Sequence, residues 1–449
     1  MLGAGPISAC DRLTARDLVA ALQGCVRRDR GPCRLNAPHV NGRRIQSFMS
    51  TFSPAAHPVA PLLQLLLPRA DPRSVALLGQ PGLDLCFNAR SALLTVFDEI
   101  VRSADKPAGK RKVLLPAFHC PSAVTPAIMA GLEPVFYRIR RDLSIDIADL
   151  SAKCGPDIAT GLIIHFFGQE PDPAAAQVLT QSGAKVVEDC SHSFLRSSPL
   201  RLAGSAQSDY RVFSFWKIVP SGVGGGVWRR EDARGGATNL SASANKDSIR
   251  AYKLQLEEAI TRNGWGPARS SLLALENLRL KLKPTAKAAP QRMPSVEDGE
   301  AYYPVSRQQA NGRMPSFARR LLLASDLNGI AARRRENYSR YLAGRQHLGP
   351  MVLPMPELQP DACPWVMPVL LENRSAIDYR LKEAGVALHT FGIYLHSDLF
   401  KSGDAHCIAD ARFLAERLLC MAVHQDLRPA DIDRSAETIE TTMKGMGLR

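Results

Sequence analysis

Val186-Val187-Glu188-Asp189-Cys190-Ser191-His192 is the stretch on which the fold turns. It reads as an apolar strand that delivers an acid at its carboxyl end, the edge at which open α/β sheets bind ligands. Runs of the same kind lie on both sides: Lys112 to Leu115, Glu133 to Tyr137, Gly161 to Phe167, Lys185 to Val187, Tyr210 to Phe215 and Gly224 to Trp228. Helical spacing fills the gaps. Ser91 to Arg102 carries Leu93, Leu94, Phe97, Ile100 and Val101, and Ser122 to Ala130 predicts a second helix. Continuous apolar strands alternating with helices indicate a sheet covered on both faces, so the class is α/β with a mostly parallel sheet.

Outside this block the pattern changes. Residues 231–300 are polar, helical and basic, and read as an insertion whose charge is most simply a solvated face. A long helix is predicted through Phe317 to Leu342. The last hundred residues or so mix strands (Trp365 to Leu371, Val386 to His389) with helices (Ala376 to Ala384, Ala409 to Leu418), which reads as a smaller α+β domain. Residues 1–60 hold scattered Arg, Pro and Gly with little periodicity beyond Leu18 to Leu22. The first 48 read as a flexible extension or an overlong gene start before Met49, with a genuine small helix as the alternative. The expected organisation is an N-terminal extension over 1–60, a large α/β domain over 61–310, and a connecting helix with the small domain over 311–449.

With 449 residues, 45% of them hydrophobic, the chain can bury a substantial core. Its formal net charge of +14 raises nucleic acid, a membrane surface or anionic substrates as partners. The charge is spread along the chain, and neither zinc-finger spacing nor an aromatic-basic RNA motif occurs, which argues against nucleic acid. Ten cysteines without a CxxC pair exclude a disulfide scaffold and a cysteine-based metal site. No apolar run reaches the ~20 residues that span a bilayer; Val59 to Leu67 is broken by Pro61 and Gln64. No secretory signal pattern opens the chain, so a reducing cytoplasm is the default expectation.

Four segments carry candidate chemistry. Asn88-Ala89-Arg90-Ser91-Ala92-Leu93 starts a helix, and a hydroxyl beside free backbone N–H groups there makes a phosphate site. A serine that merely caps the helix explains the same residues. Asp189, buried at a strand end, needs a cationic partner; a protonated pyridine nitrogen would serve, as would a plain capping role. Phe213-Ser214-Phe215-Trp216-Lys217 ends a strand in Ser, then Lys, ahead of Gly224-Gly225-Gly226. A lysine in a partly dry site can lose its proton and attack a carbonyl; a lysine reaching out to solvent is the alternative. His165, after the run from Gly161 to Ile164, reads as a satisfied structural histidine.

Together these segments resemble the DegT/DnrJ/StrS-type aminotransferases, pyridoxal-phosphate (PLP) enzymes of fold type I that aminate keto-sugars on nucleotide carriers. Ala89-Arg90-Ser91-Ala92-Leu93 resembles that family's small-residue, Thr/Ser, Ala, Leu pattern. Pro116-Ala117-Phe118-His119-Cys120 is similar to its P-A-x-T-x strand end, and His165 to Gln169 to its H-x-F-G-Q. Glu188 to His192 resembles E-D-A-A-Q/H, Gly204 to Phe215 resembles G-S-x-x-D-x-x-x-F-S-F with one extra residue, and Asn311-Gly312-Arg313-Met314-Pro315 resembles N-Y-R-M-S. The likeness runs from about residue 80 to the C-terminus.

The resemblance implies a seven-stranded, mostly parallel sheet in the large domain and PLP held as a Schiff base on Lys217, which also shuttles the proton. It implies Asp189 at the pyridine nitrogen, His192 by the phenolic oxygen, and Ser91, Ala92 and Ser214 at the phosphate. Cys120 stands where an aromatic residue usually stacks on the ring. Asn311 and the substrate-binding Arg313 would reach the partner's site in a homodimer with shared active sites. No metal ion is called for. The implied reaction moves an amino group, from glutamate as the expected donor, to a nucleotide-linked keto-sugar in polysaccharide, glycan or secondary-metabolite synthesis. Lys217 follows Ser214 by three residues where the family has five, while its distance to Gly224-Gly225 matches; this marks a subgroup with a shortened loop. Two rivals stay open: a PLP-dependent sugar dehydratase, which carries His in place of Lys217, and a non-catalytic or regulatory PLP-binding relative.

Overall fold

The strands of the large sheet form where the sequence supplies short runs with nearly every side chain apolar. The computed structural model describes residues 69–103, 111–192, 194–231, 245–262 and 305–448, with the single residues 58, 240, 241 and 296. The expected N-terminal extension and most of the basic 231–300 segment lie outside the described residues; within that segment Asn245–Arg262 is one helix. The compact unit that holds everything below is Met49–Arg449.

Seven strands make the main sheet: β1 (Leu83–Cys86), β2 (Lys112–Pro116), β3 (Glu133–Tyr137), β4 (Ile158–Ile164), β5 (Lys185–Asp189) and, after the hairpin β6 (Leu195–Ser197) and β7 (Leu200–Leu202), β8 (Tyr210–Ser214) and β9 (Gly225–Arg229). Their order is β1-β9-β8-β5-β4-β2-β3. β9 is antiparallel to both its neighbours, and every other pair is parallel. β4 is buried at all of its positions, as a central strand covered on two faces must be. The covers include α1 (Ala89–Arg102), α2 (Pro121–Met129), α3 (Ile147–Lys153) and α4 (Ala174–Gln181). The fold is that of the PLP type I enzymes, as the resemblance implied.

Two boundaries differ from the sequence expectations. The run from Gly161 to Phe167 leaves the sheet at Ile164, and Phe166–Gly168 forms a single 3-10 turn. Phe167 sits there at φ 55°, ψ 18°, and Gly168 at φ 101°. The helix expected through Phe317 to Leu342 is two helices, Ser316–Leu323 and α5 (Leu327–Ala343). Asp326 breaks it by capping α5, its carboxylate accepting from Gly329 N at 2.9 Å. The intervening Ser325 is pinned as well, its carbonyl accepting from Ser74 Oγ at 2.6 Å.

The C-terminal part is a three-stranded sheet, β10 (Val366–Leu370), β12 (Leu418–Ala422) and β11 (Leu388–His389), in the order β10-β12-β11. β12 is the central strand and was not anticipated; the helix before it, Ala405–Arg417, ends where Leu418 turns extended. α5, the helix Arg374–Glu383 and α6 (Pro429–Gly445) pack a second apolar cluster against this sheet, with Tyr338, Tyr341, Leu381, Leu419 and Ile439 at its centre. No helix among the described residues is long and apolar enough to cross a membrane.

Candidate active site

Parallel strands all point their carboxyl ends the same way, so the residues just past β2, β5 and β8 meet at one edge. Asp189 is the last residue of β5, Ser214 the last of β8, and Lys217 closes the 3-10 turn Phe215–Lys217 that follows. The N-terminus of α1 joins them through a glycine. Gly225 pairs with Ser214, and a Cβ built on Gly225 would lie 2.5 Å from Asn88 C and Ala89 N. Only a residue without a side chain lets β9 touch the helix start this closely.

At that helix start Asn88 is the cap. Its side chain accepts from Ser91 N at 2.9 Å, and its carbonyl accepts from Ala92 N at 3.0 Å. The Ala92 N–H expected at a phosphate is therefore already committed. Ser91 Oγ is fully buried and has no hydrogen-bond partner among the described residues. An orphaned hydroxyl at a helix N-terminus is the chemistry of an anion site, and Ser214 is buried as well.

Asp189 is 8% exposed, accepts one hydrogen bond at 2.9 Å from Ser191 N, and has no cation within ion-pair distance among the described residues. Lys217 is half-buried, with its amine 4.6 Å above the centre of the Trp365 ring. Burial lowers its pKa to about 8; Asp189 and Cys120 oppose the shift and Arg90 adds to it. The acid and the amine thus feel each other without touching. A buried carboxylate and a half-buried amine, neither ion-paired among the described residues, call for a group that satisfies both.

His192 is 3% exposed, stacked on Phe167 at 5.4 Å, 4.3 Å from Trp365 and edge-on to Phe391 at 4.6 Å. Burial, then Lys217 and His389, hold its pKa well below the usual range, so the ring is neutral. Its Nδ1 accepts from Phe167 N at 3.4 Å, which places the proton on Nε2 and makes Nε2 a donor. The left-handed backbone of Phe167 is what sets that ring against His192.

Of Phe118, His119 and Cys120, which follow β2 after Ala117, two are taken up elsewhere. Phe118 is wholly buried against Phe166 and Phe391, each at 5.7 Å. His119 bonds Pro116 O at 2.9 Å and accepts from His396 N at 3.0 Å. Cys120 remains, half-buried at the start of α2, with Ser122 Oγ donating to its sulfur at 3.0 Å. His165 is structural, as read: its Nε2 meets Glu188 Oε2 at 2.8 Å. Burial raises the Glu188 pKa, but His165 together with Ser205 Oγ and N outweighs it and brings the acid down to about 2.

Asn311 and Arg313 are not gathered into this site. Their segment runs along the outer edge of β1, with Phe87 N donating to Gly312 O at 2.8 Å and Met314 N to Leu85 O at 3.0 Å. Gly312 and Met314 face inward, Asn311 and Arg313 outward and exposed. Conversely, Trp365, Phe391 and His389 were not singled out by sequence reasoning. His389 lies edge-on to Trp365 at 5.1 Å, its pKa lowered to about 4 by burial and by Lys217 and Lys382. Nothing local marks a tryptophan in a short strand as the neighbour of a distant lysine.

A profile of the DegT/DnrJ/EryC1/StrS aminotransferase family matches residues 89–238, the span from α1 to just past β9. No curated protein matches the chain. Among solved structures, PseC of Helicobacter pylori, an aminotransferase involved in the biosynthesis of pseudoaminic acid, is 15% identical with a TM-score of 0.57, covering 87% of this chain and 93% of PseC. Spr1654 of Streptococcus pneumoniae, solved in its PLP form, has the same identity, TM-score and coverages. DesI, solved in the presence of its TDP-sugar product, is 18% identical with a TM-score of 0.56, covering 84% of each chain. Over that third of the chain a strand-end acid, a lysine turn and a glycine strand follow one another, and this part of the chain is similar to the DegT/DnrJ/EryC1/StrS aminotransferase family.

Proposed function

We propose that the protein is a PLP-dependent aminotransferase that transfers an amino group, from an amino acid such as glutamate, to a nucleotide-linked keto-sugar, acting in the cytoplasm as a homodimer. The observation that carries this reading is that the Asp189 carboxylate and the Lys217 amine influence each other while neither is ion-paired among the described residues. PLP fits these groups by its chemistry: a ring nitrogen that is cationic when protonated, an aldehyde for the amine, and a phosphate for the Ser91 hydroxyl, which has no partner among the described residues. When bound, PLP supplies an electron sink for the charge left when a proton departs from a substrate carbon.

The chain's own residues do the rest. Asp189 holds the proton on the ring nitrogen, and no competing cation lies within ion-pair distance of it among the described residues. His192 donates from Nε2 to the phenolic oxygen. Ser91, Ser214 and the N-terminus of α1 bind the phosphate. Lys217 anchors the cofactor and, once released, takes a proton from one carbon and returns it to the next. Its pKa of about 8 suits that task, because a shuttle base works best near the operating pH. Trp365, His192 and Phe391 keep water from the amine. A substrate with a diphosphate suits a chain of net charge +14, and DesI was solved with a TDP-sugar. Exposed Asn311 and Arg313 are available to a partner subunit's site.

Borohydride reduction of the PLP-loaded protein tests the assignment. The reduced label should map to the peptide containing Lys217, and glutamate should bleach the visible band beforehand. A label on any other lysine would show the assignment to be wrong.

A further inference from the structure

Arg334, on α5, is completely buried, and no carboxylate lies within ion-pair distance of it among the described residues. Burial lowers even this guanidinium's pKa, to about 10. Such a charge is costly to bury unless every donor is satisfied. Here each one is. Nε donates to Gln425 Oε1 at 2.9 Å. One terminal nitrogen donates to Pro364 O at 3.2 Å and Trp365 O at 2.9 Å. The other donates to Lys217 O and Ile218 O, both at 3.3 Å. Gln425 closes the ring, its Nε2 donating to Ile218 O at 2.9 Å.

The two pieces of backbone held this way come from different sheets, yet they carry the two side chains that meet in the site: the Lys217 amine and the Trp365 ring. Five N–H donors in a planar fork fit this set of carbonyls; an ammonium with three mobile donors does not. We propose that Arg334 is a positioning residue for the Lys217 amine, locking the backbone of Lys217 to that of Trp365 and thereby fixing the amine against the shielding indole. The inference rests on the reading of Lys217 as the reactive amine. Asp189 from β5, Cys120 from the start of α2, Arg90 from α1, His192 from the loop after β5 and His389 from β11 also act on that amine. None of them needs to move for the clamp to matter, because the clamp acts through the distance to Trp365.

The test is the ionisation of Lys217 in the cofactor-free protein, read from the pH dependence of amine labelling on the Lys217 peptide. Arg334→Lys keeps the charge and loses the fork; Gln425→Leu keeps Arg334 and removes one tie. Both should raise the labelling midpoint from about 8 toward the ordinary lysine value of ~10.4, with roughly tenfold less labelling at pH 7 for each unit gained. Trp365→Leu should raise the midpoint by itself, and adding Arg334→Lys to it should produce no further shift. An unchanged midpoint in a folded Arg334→Lys protein, or an undiminished shift in the Trp365→Leu background, overturns the proposal. If Arg334→Lys does not unfold cooperatively, Gln425→Leu decides, and an unchanged midpoint there is equally fatal. The labelling needs no PLP, so a borohydride adduct on another lysine would sink the functional reading while leaving this result to stand or fall alone.

Discussion

At the residue scale the site is a set of unmet needs. Among the described residues Ser91 Oγ has no hydrogen-bond partner and Asp189 no ion-paired cation, and Lys217 is held where its charge is disfavoured. Such groups weaken the empty protein, and on the proposed function bound PLP would satisfy them. Lys217 makes this measurable. Its folded pKa, about 8, lies below the ordinary ~10.4, so the unfolded chain binds the extra proton between those values. Stability therefore rises with pH across that window, and the burial cost is fully present at pH 7 and below. Lys217→Met should stabilise the cofactor-free protein at pH 7 by about 1–3 kcal/mol, a range discounted because part of the side chain is exposed. The gain should shrink as pH rises from 8 to 10, while turnover is lost throughout. Urea melts of both proteins at several pH values check the sign; a gain that grows with pH contradicts it.

At the element scale the site depends on how closely β9 approaches α1. The strand is hydrogen-bonded on one side to β1 and on the other to β8, so it cannot retreat from the helix. Gly225→Ala would place a methyl group 2.5 Å from backbone atoms of Asn88 and Ala89. It should cost about 1–3 kcal/mol of stability by overpacking and weaken PLP binding well beyond tenfold, since the helix start proposed to bind the phosphate is what gives way. Gly445→Ala, where nothing lies within 4 Å, serves as the control and should leave both unchanged. Equilibrium PLP titration followed by absorbance separates the two. α5 acts at the same scale: Arg335 donates to Gln359 O and Ala362 O at 2.9 Å each, and Asn337 to three carbonyls of the 423–427 turn. One helix thus ties several loops of the C-terminal part into place beside the Lys217 turn.

At the scale of the whole molecule, the outward side chains of Asn311 and Arg313 are the open question put to a second subunit. Mixed dimers answer it. A Lys217→Ala chain combined with an Asn311→Ala chain should recover up to about a quarter of wild-type activity, because random pairing leaves one intact composite site in half of the dimers. Activity no higher than that of either parent would exclude sharing of these residues.

Sequence alone determined the α/β class and most of the sheet, and it singled out Lys217 and Asp189 as candidates. Those features are local: apolar runs of strand length, a helix-starting motif, and a lysine at fixed spacing from glycines. It missed β12, because Leu418 still falls four residues after Leu414 and so continues the helical spacing of Ala405–Arg417. It fused two helices across Asp326, because the apolar spacing on either side hides a cap. Tertiary structure alone decided that Phe118 and His119 are spent on packing. It also decided that Trp365, His389 and Arg334 converge on Lys217. The reason is physical: a residue's type and its near neighbours fix what chemistry it can do, while its partners depend on which distant segments the sheet order brings within a few ångströms.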